Sequence, residues 1–184
     1  SFANKKLSIE GKGQIKLQNK FEIINYKIIN NGSDLNLVSN IELSELDIKN
    51  QNLIKEYLPK TKDVLNLKDH KIRASYANKK LKIEGKGQVK LQNKFEFIDY
   101  DVAHSGSDLN LVSNIELSEL DIKNQNLIKE YLPKTKNILN LKDHKIKLQY
   151  KNSNLSVEGL GKISLDKEFS KINYTFSKKN KKYN

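Results

Sequence analysis

Three kinds of residue in this chain could in principle do chemistry: histidines, clustered carboxylates and a glycine-lysine run. The histidines are His70, His104 and His144, and two of them occupy the same context, Lys-Asp-His-Lys at 68–71 and 142–145. A metal centre needs ligands that converge from separate segments, whereas the nearest carboxylates here are strand neighbours. Solvent-facing or turn histidines are therefore expected, with no metal or other cofactor. Glu10-Gly11-Lys12-Gly13 invites comparison with a phosphate loop. It has neither of the glycine spacings that cradle phosphate, and no long helix follows, so a bent strand is expected. Glu42, Glu45 and Asp47 return as Glu116, Glu119 and Asp121. Acid–base pairs duplicated intact in tandem suit a solvated sheet face better than an active site. No nucleophile elbow surrounds any serine. The absence of cysteine removes thiolate catalysis, thiolate metal sites and disulfides. These observations point away from an enzyme.

The elements that carry these residues are organised by repetition. Residues 77–150 repeat residues 3–76 with 14 differences, and 106–136 is identical to 32–62. A diverged, truncated third copy follows, so the chain divides into 1–76, 77–150 and 151–184. A tandem unit of this length argues for a stack in which each unit touches its neighbours. The chain has no methionine and begins and ends inside the repeat, and it reads as a piece of a longer protein. No run approaches the 18 apolar residues of a membrane-spanning helix. The net charge of +12 favours anionic surfaces. Nucleic acid is not the expected partner. The lysines are dispersed among apolar residues, with no aromatic platform among them. Tyr26, Tyr100 and Tyr174, one per copy on the apolar parity, read as core or groove lining rather than base-stacking residues.

Within a copy, the polar tetrad Ala77-Asn78-Lys79-Lys80 between alternating flanks predicts a hairpin. Leu7, Ile9, Gly11, Gly13, Ile15 and Leu17 share one parity, and the third copy keeps the pattern at Leu155, Val157, Gly159, Gly161, Ile163 and Leu165. Glycines on an apolar strand face pack nothing, so their return predicts a bend, a bulge or a close approach by another group. The next strand spans about Phe21–Ile29, and the adjacent pair Phe97-Ile98 in its copy breaks parity, which predicts a bulge there. Turns are expected at 31–34 and 105–108. A long strand covers 35–48, with Leu46 and Ile48 on the opposite parity from Leu43. A short helix is expected over 51–58, closed by Pro59. Each copy thus offers about four strands, each with one apolar and one polar face.

Two architectures satisfy this pattern: a sandwich, or one long curved sheet whose apolar face lines a groove. The tandem repeat favours the second, an all-β, mainly antiparallel, elongated sheet of about ten strands. Substitutions between copies agree. Ile15 becomes Val89, Ile23 becomes Phe97, Ile28 becomes Val102 and Val64 becomes Ile138. Apolar character is kept while volume is not, as on a surface that does not interdigitate tightly.

The stretch Asn140-Leu141-Lys142-Asp143-His144-Lys145-Ile146, the strand to Tyr150, the run Leu155–Leu165, and then Phe169 and Ile172-Asn173-Tyr174 resemble AsmA-like bacterial envelope proteins of the TamB and YhdP types. The likeness is nearest to the lysine- and asparagine-rich members of Campylobacter-like bacteria. The resemblance implies a U-shaped apolar β-groove in the periplasm, bridging inner and outer membranes and passing phospholipid acyl chains. It implies a membrane-anchored full-length protein and no catalytic residues. On this reading Ile83, Val89, Leu91, Ile98, Tyr100, Leu109, Leu111, Ile115 and Leu117 line the groove, and lysines meet anionic head groups. The other class of function open to the sequence is a surface or adhesin-type β-repeat with its apolar face sealed inside.

Overall fold

The computed structural model describes residues 6–32, 34–49, 58, 60–124, 129–130, 133–165 and 168–179. Ten strands follow one another: β1 Leu7–Leu17, β2 Lys20–Asn30, β3 Leu35–Lys49, β4 Val64–Ala77, β5 Lys80–Lys90, β6 Phe95–Ser105, β7 Asp108–Lys123, β8 Ile138–Lys151, β9 Asn154–Ser164 and β10 Phe169–Lys179. Each pairs antiparallel with the next, in one open curved sheet ordered β1 to β10. The expected strand count and the hairpin at 77–80 are both present. Asn78-Lys79 and Asn152-Ser153 turn with both residues at positive φ. That geometry matches the twist of the flanking strands, and asparagine tolerates it. The expected helix over 51–58 falls almost wholly outside the described residues. In the second copy Lys129 and Glu130 are helical.

The chain repeats every four strands. Cross-strand neighbours run Gly11, Tyr26, Ser39, Ala74, Ile83, so the row that starts at Gly11 arrives two residues short of its repeat equivalent Gly85. The next unit does the same, from Gly85 through Tyr100, Ser113 and Leu148 to Val157, two short of Gly159. A stagger of two residues, about 7 Å, preserves the facing of every side chain, whereas a stagger of one would invert it.

That facing is kept by extra residues, placed where the sequence reading did not put them. The β5–β6 register is unbroken through Phe97 and Ile98, so the bulge expected there is absent. Phe97 simply points to the other face. The irregularities lie instead between Lys68 and Lys71 of β4 and between Lys142 and Lys145 of β8. Asp69 and Asp143 there have φ of 54° and 53°. Aspartate is among the few residues that visit this region readily. Two residues of β4, Asp69 and His70, thus oppose the single Gly87 of β5. Across β3, Ser44 lies opposite Asp69, between the pairs Leu43–His70 and Glu45–Lys68. Parity shifts on both strands together. Leu43, Leu46 and Ile48 therefore stay on one face, although their spacing in the sequence puts them on two.

The shift has a cost on the other side of β3, where pairing with β2 stops at Ile23–Glu42. The stranded backbone is capped by side chains. Glu22 accepts from Ser44 N at 2.7 Å and Ser44 Oγ at 2.8 Å, and Glu96 repeats both contacts on Ser118 at the same distances. Gln18 and Gln92 clamp the backbone of Asp47 and Asp121, each donating from Nε2 and accepting at Oε1. Burial alone would raise the Glu22 carboxyl. The Ser44 backbone and hydroxyl, with the Glu45 backbone N–H, outweigh it and hold the pKa below the usual 4.5.

The tight core is small. Leu117, Leu120, Leu139, Leu141 and Ile163 form the buried cluster, with Leu58 of the preceding copy packed on it. Lys60 follows with an ion pair to Asp121 at 2.5 Å, so the β3–β4 connection staples one unit to the next. Accessible surface totals 13529 Å². A compact chain of this mass would expose about 9,000 Å². No second sheet covers the first among the described residues.

Replacing the buried Glu96 by alanine removes the carboxylate that accepts from the Ser118 and Glu119 N–H groups and is expected to cost about 1–3 kcal/mol in denaturant unfolding near neutral pH. Because Glu22 is held below 4.5 in the folded chain, its contribution is present above that value and is lost as pH falls through the lowered one. The stability gap between the parent and Glu22→Ala should therefore narrow on acidification. A gap independent of pH would contradict the cap.

Candidate functional site

The candidate site is the apolar face, built by register rather than by any single loop. One row of paired residues reads Ile24, Ile41, Ile72, Gly85, Tyr100, Ser113, Leu148, Val157, Phe176. It crosses nine strands and contains no charge. The residues singled out from sequence fall on this face in the second copy. Ile98 pairs with Ile115, Val102 joins Ile83 to Leu111, and Tyr100 lies opposite Gly85. Ile83, Ile98, Tyr100, Leu111 and Ile115 are half-buried, and Leu109 is exposed. Val89 and Leu117 are fully buried, and Leu91 packs on the core cluster. Those three belong to the sealed end of the face.

The glycines make the face nearly flat enough to be crossed by larger side chains. A Cβ on Gly85 would lie 2.3 Å from Tyr100 Cζ, and one on Gly159 would lie 2.2 Å from Tyr174 Cζ. A Cβ on Gly87 or Gly161 would meet the Cδ2 of His70 or His144 at 2.4 and 2.3 Å. The close approach expected from the sequence is thus real at both glycines of the second and third copies. Each tyrosine reaches across β5 or β9 to the histidine on the far side, with ring centroids 5.9 Å apart.

This corrects the reading of the histidines. His70 and His144 are 1% exposed, neither solvent-facing nor in turns. His70 Nε2 donates to the carbonyl of Gln88 at 2.9 Å, and His144 Nε2 to that of Lys162 at 2.8 Å. Nδ1 is left to accept weakly from the tyrosine hydroxyls at 3.4 and 3.5 Å. Burial raises the pKa of Tyr100 and Tyr174, which keeps both as neutral donors. Among the described residues no group of three or more histidines and carboxylates could hold a metal ion. His104 is exposed.

The opposite face carries charge in rows that mix both signs. Glu42, Lys71, Lys86 and Asp99 lie on one row, and Arg73, Glu84 and Asp101 on the next. Lys82 bridges Glu84 at 2.6 Å and Asp101 at 3.2 Å. These pairs are exposed and worth little individually. Two shallow depressions open near Asn40 and Arg73 on this charged face. The polar face is also less purely polar than its alternation suggests. Phe21, Phe95 and Phe169, equivalent in the three copies, are exposed there, each beneath a lysine ammonium 5.5–5.9 Å from the ring. Sequence reasoning missed these cation–π contacts. The signal available was the recurrence of Phe at the start of the same strand in every copy.

Comparison with protein-family models, characterised proteins and solved structures finds no match to the chain. The likeness to AsmA-like proteins therefore rests on the residue pattern alone.

The repeat supplies its own control for the glycine contacts. Gly87→Ala drives a methyl group into His70, including its Cα at 2.8 Å, and is expected to cost about 1–3 kcal/mol. Gly13 is the same position in the first copy, with nothing within 4 Å. Gly13→Ala should be neutral or stabilising by up to about 1 kcal/mol. Equal effects in thermal unfolding would contradict the histidine seat.

Proposed function

We propose that this chain is a non-enzymatic lipid-binding segment of an elongated envelope protein, holding phospholipid acyl chains along its apolar face so that they can pass between membranes. The observation that carries the proposal is the uncharged row from Ile24 to Phe176 on a single-layer sheet. An apolar face of this extent needs a cover. An acyl chain removing about 200 Å² of apolar surface from water gains on the order of 5 kcal/mol before the cost of ordering it. Tails suit a surface on which Ile28 of one copy is Val102 of the next and Ala74 is Leu148 better than a shape-matched protein would. Lysines at the rim and on the charged face suit anionic head groups. The sealed-repeat alternative needs a second layer over this face, and the described residues provide one only at the end covered by Leu58.

Native mass spectrometry of the purified chain, with organic extraction, tests the proposal. Several phospholipids per chain are expected. They should be lost in Ile98→Asp and Leu111→Asp and retained in Val112→Asp, whose side chain lies on the charged face. A lipid-free, monodisperse parent would overturn the proposal.

A further inference from the structure

The exposed edge of β1 repeats a strand whose partner is known. We infer that this edge is a docking site for an extended segment with the bulged Leu-Lys-Asp-His-Lys-Ile pattern of β4 and β8. β5 and β9 each receive such a strand, and in each case the bulged histidine sits over the second glycine. β1 matches β5 from Leu7 to Leu17 except at Ser8 and Ile15, where β5 has Lys82 and Val89.

Half of the seat is already assembled on β1. Tyr26 lies over Gly11, 2.5 Å from a Cβ built there, as Tyr100 lies over Gly85. The position over Gly13 is open. The Gln14 carbonyl is the repeat equivalent of the two carbonyls that accept from His70 and His144. The Tyr26 hydroxyl is equivalent to the two that meet their Nδ1 atoms. The apolar residues show what is uncovered. Ile15 is 38% exposed where Val89 is 5%.

The register follows from β4 on β5. The isoleucine of the pattern comes opposite Gly11, and the histidine, with the aspartate before it in the left-handed region, comes opposite Gly13. Main-chain hydrogen bonds give such strand addition its affinity, and the side-chain seat gives it selectivity. A folded second copy cannot supply the segment, because β4 and β8 are already paired on both edges. The occupant is therefore a strand of this pattern from another repeat segment.

A fluorescent peptide with the sequence of residues 138–151, titrated into the intact chain by anisotropy, tests the inference. Saturable 1:1 binding is expected. It should weaken at least tenfold when the peptide carries His144→Ala or when the chain carries Gly13→Val. Circular dichroism should show that variant folded, since nothing surrounds Gly13. Binding that ignores either change would overturn the inference, as would no saturable binding. Self-association of the chain that competes with the peptide at the same edge would overturn it too.

Discussion

The seating of a bulged histidine over a glycine is the contact on which the rest of this sheet depends. β3 and β4 each gain one residue at the same level, Ser44 opposite Asp69, so that leucines on both sides of it stay on one face. The bulge swings His70 inward, and only a residue without a side chain can lie beneath it. Gly87 meets that need, and Gly85 meets the same need for Tyr100. The histidine gives one ring nitrogen to a carbonyl of the neighbouring strand and the other to the tyrosine. Three strands are thereby locked in one register by side chains, at the level where the backbone ladder is interrupted.

The same constraint explains the buried glutamates. A strand that gains a residue cannot keep step with a shorter neighbour, and beyond Glu42 the edge of β3 loses its partner. Glu22 and Gln18 replace the missing ladder with side-chain acceptors and donors. Both features recur a unit later at Glu96 and Gln92. Stability in this chain is local and repeated, as expected of a stack, and the joints between units are the staple at Leu58 and Lys60 and the histidine seats.

Much of this was legible in the sequence. The repeat, the strand count and the one-sided alternation followed from spacing alone, and the paired glycines announced a bend, a bulge or a close approach, of which the structure has the last at Gly85, Gly87, Gly159 and Gly161. The identity of what approaches was not legible. Lys-Asp-His-Lys is locally a solvated run, and His70 is buried only because a strand more than 15 residues later presents a glycine beneath it. Glu22 and Glu96 carry no local sign of burial for the same reason: the donors that satisfy them lie on the following strand. The parity break at Phe97-Ile98 misled because Phe97 lies on the charged face, where Phe95 also stands exposed beneath lysine ammonium groups. Of the residues read as groove lining, Val89, Leu91 and Leu117 prove to be core or packed on it, at the end of the face where Leu58 also packs.

An open apolar face on a single-layer sheet is the central claim, and carbene footprinting of the delipidated chain tests it most directly. Photolabel should appear on Ile83, Ile98, Leu111 and Ile115 and should fall when phospholipid vesicles are added. Protection of those four residues in the absence of lipid would show that protein already covers the face, and the account would fail.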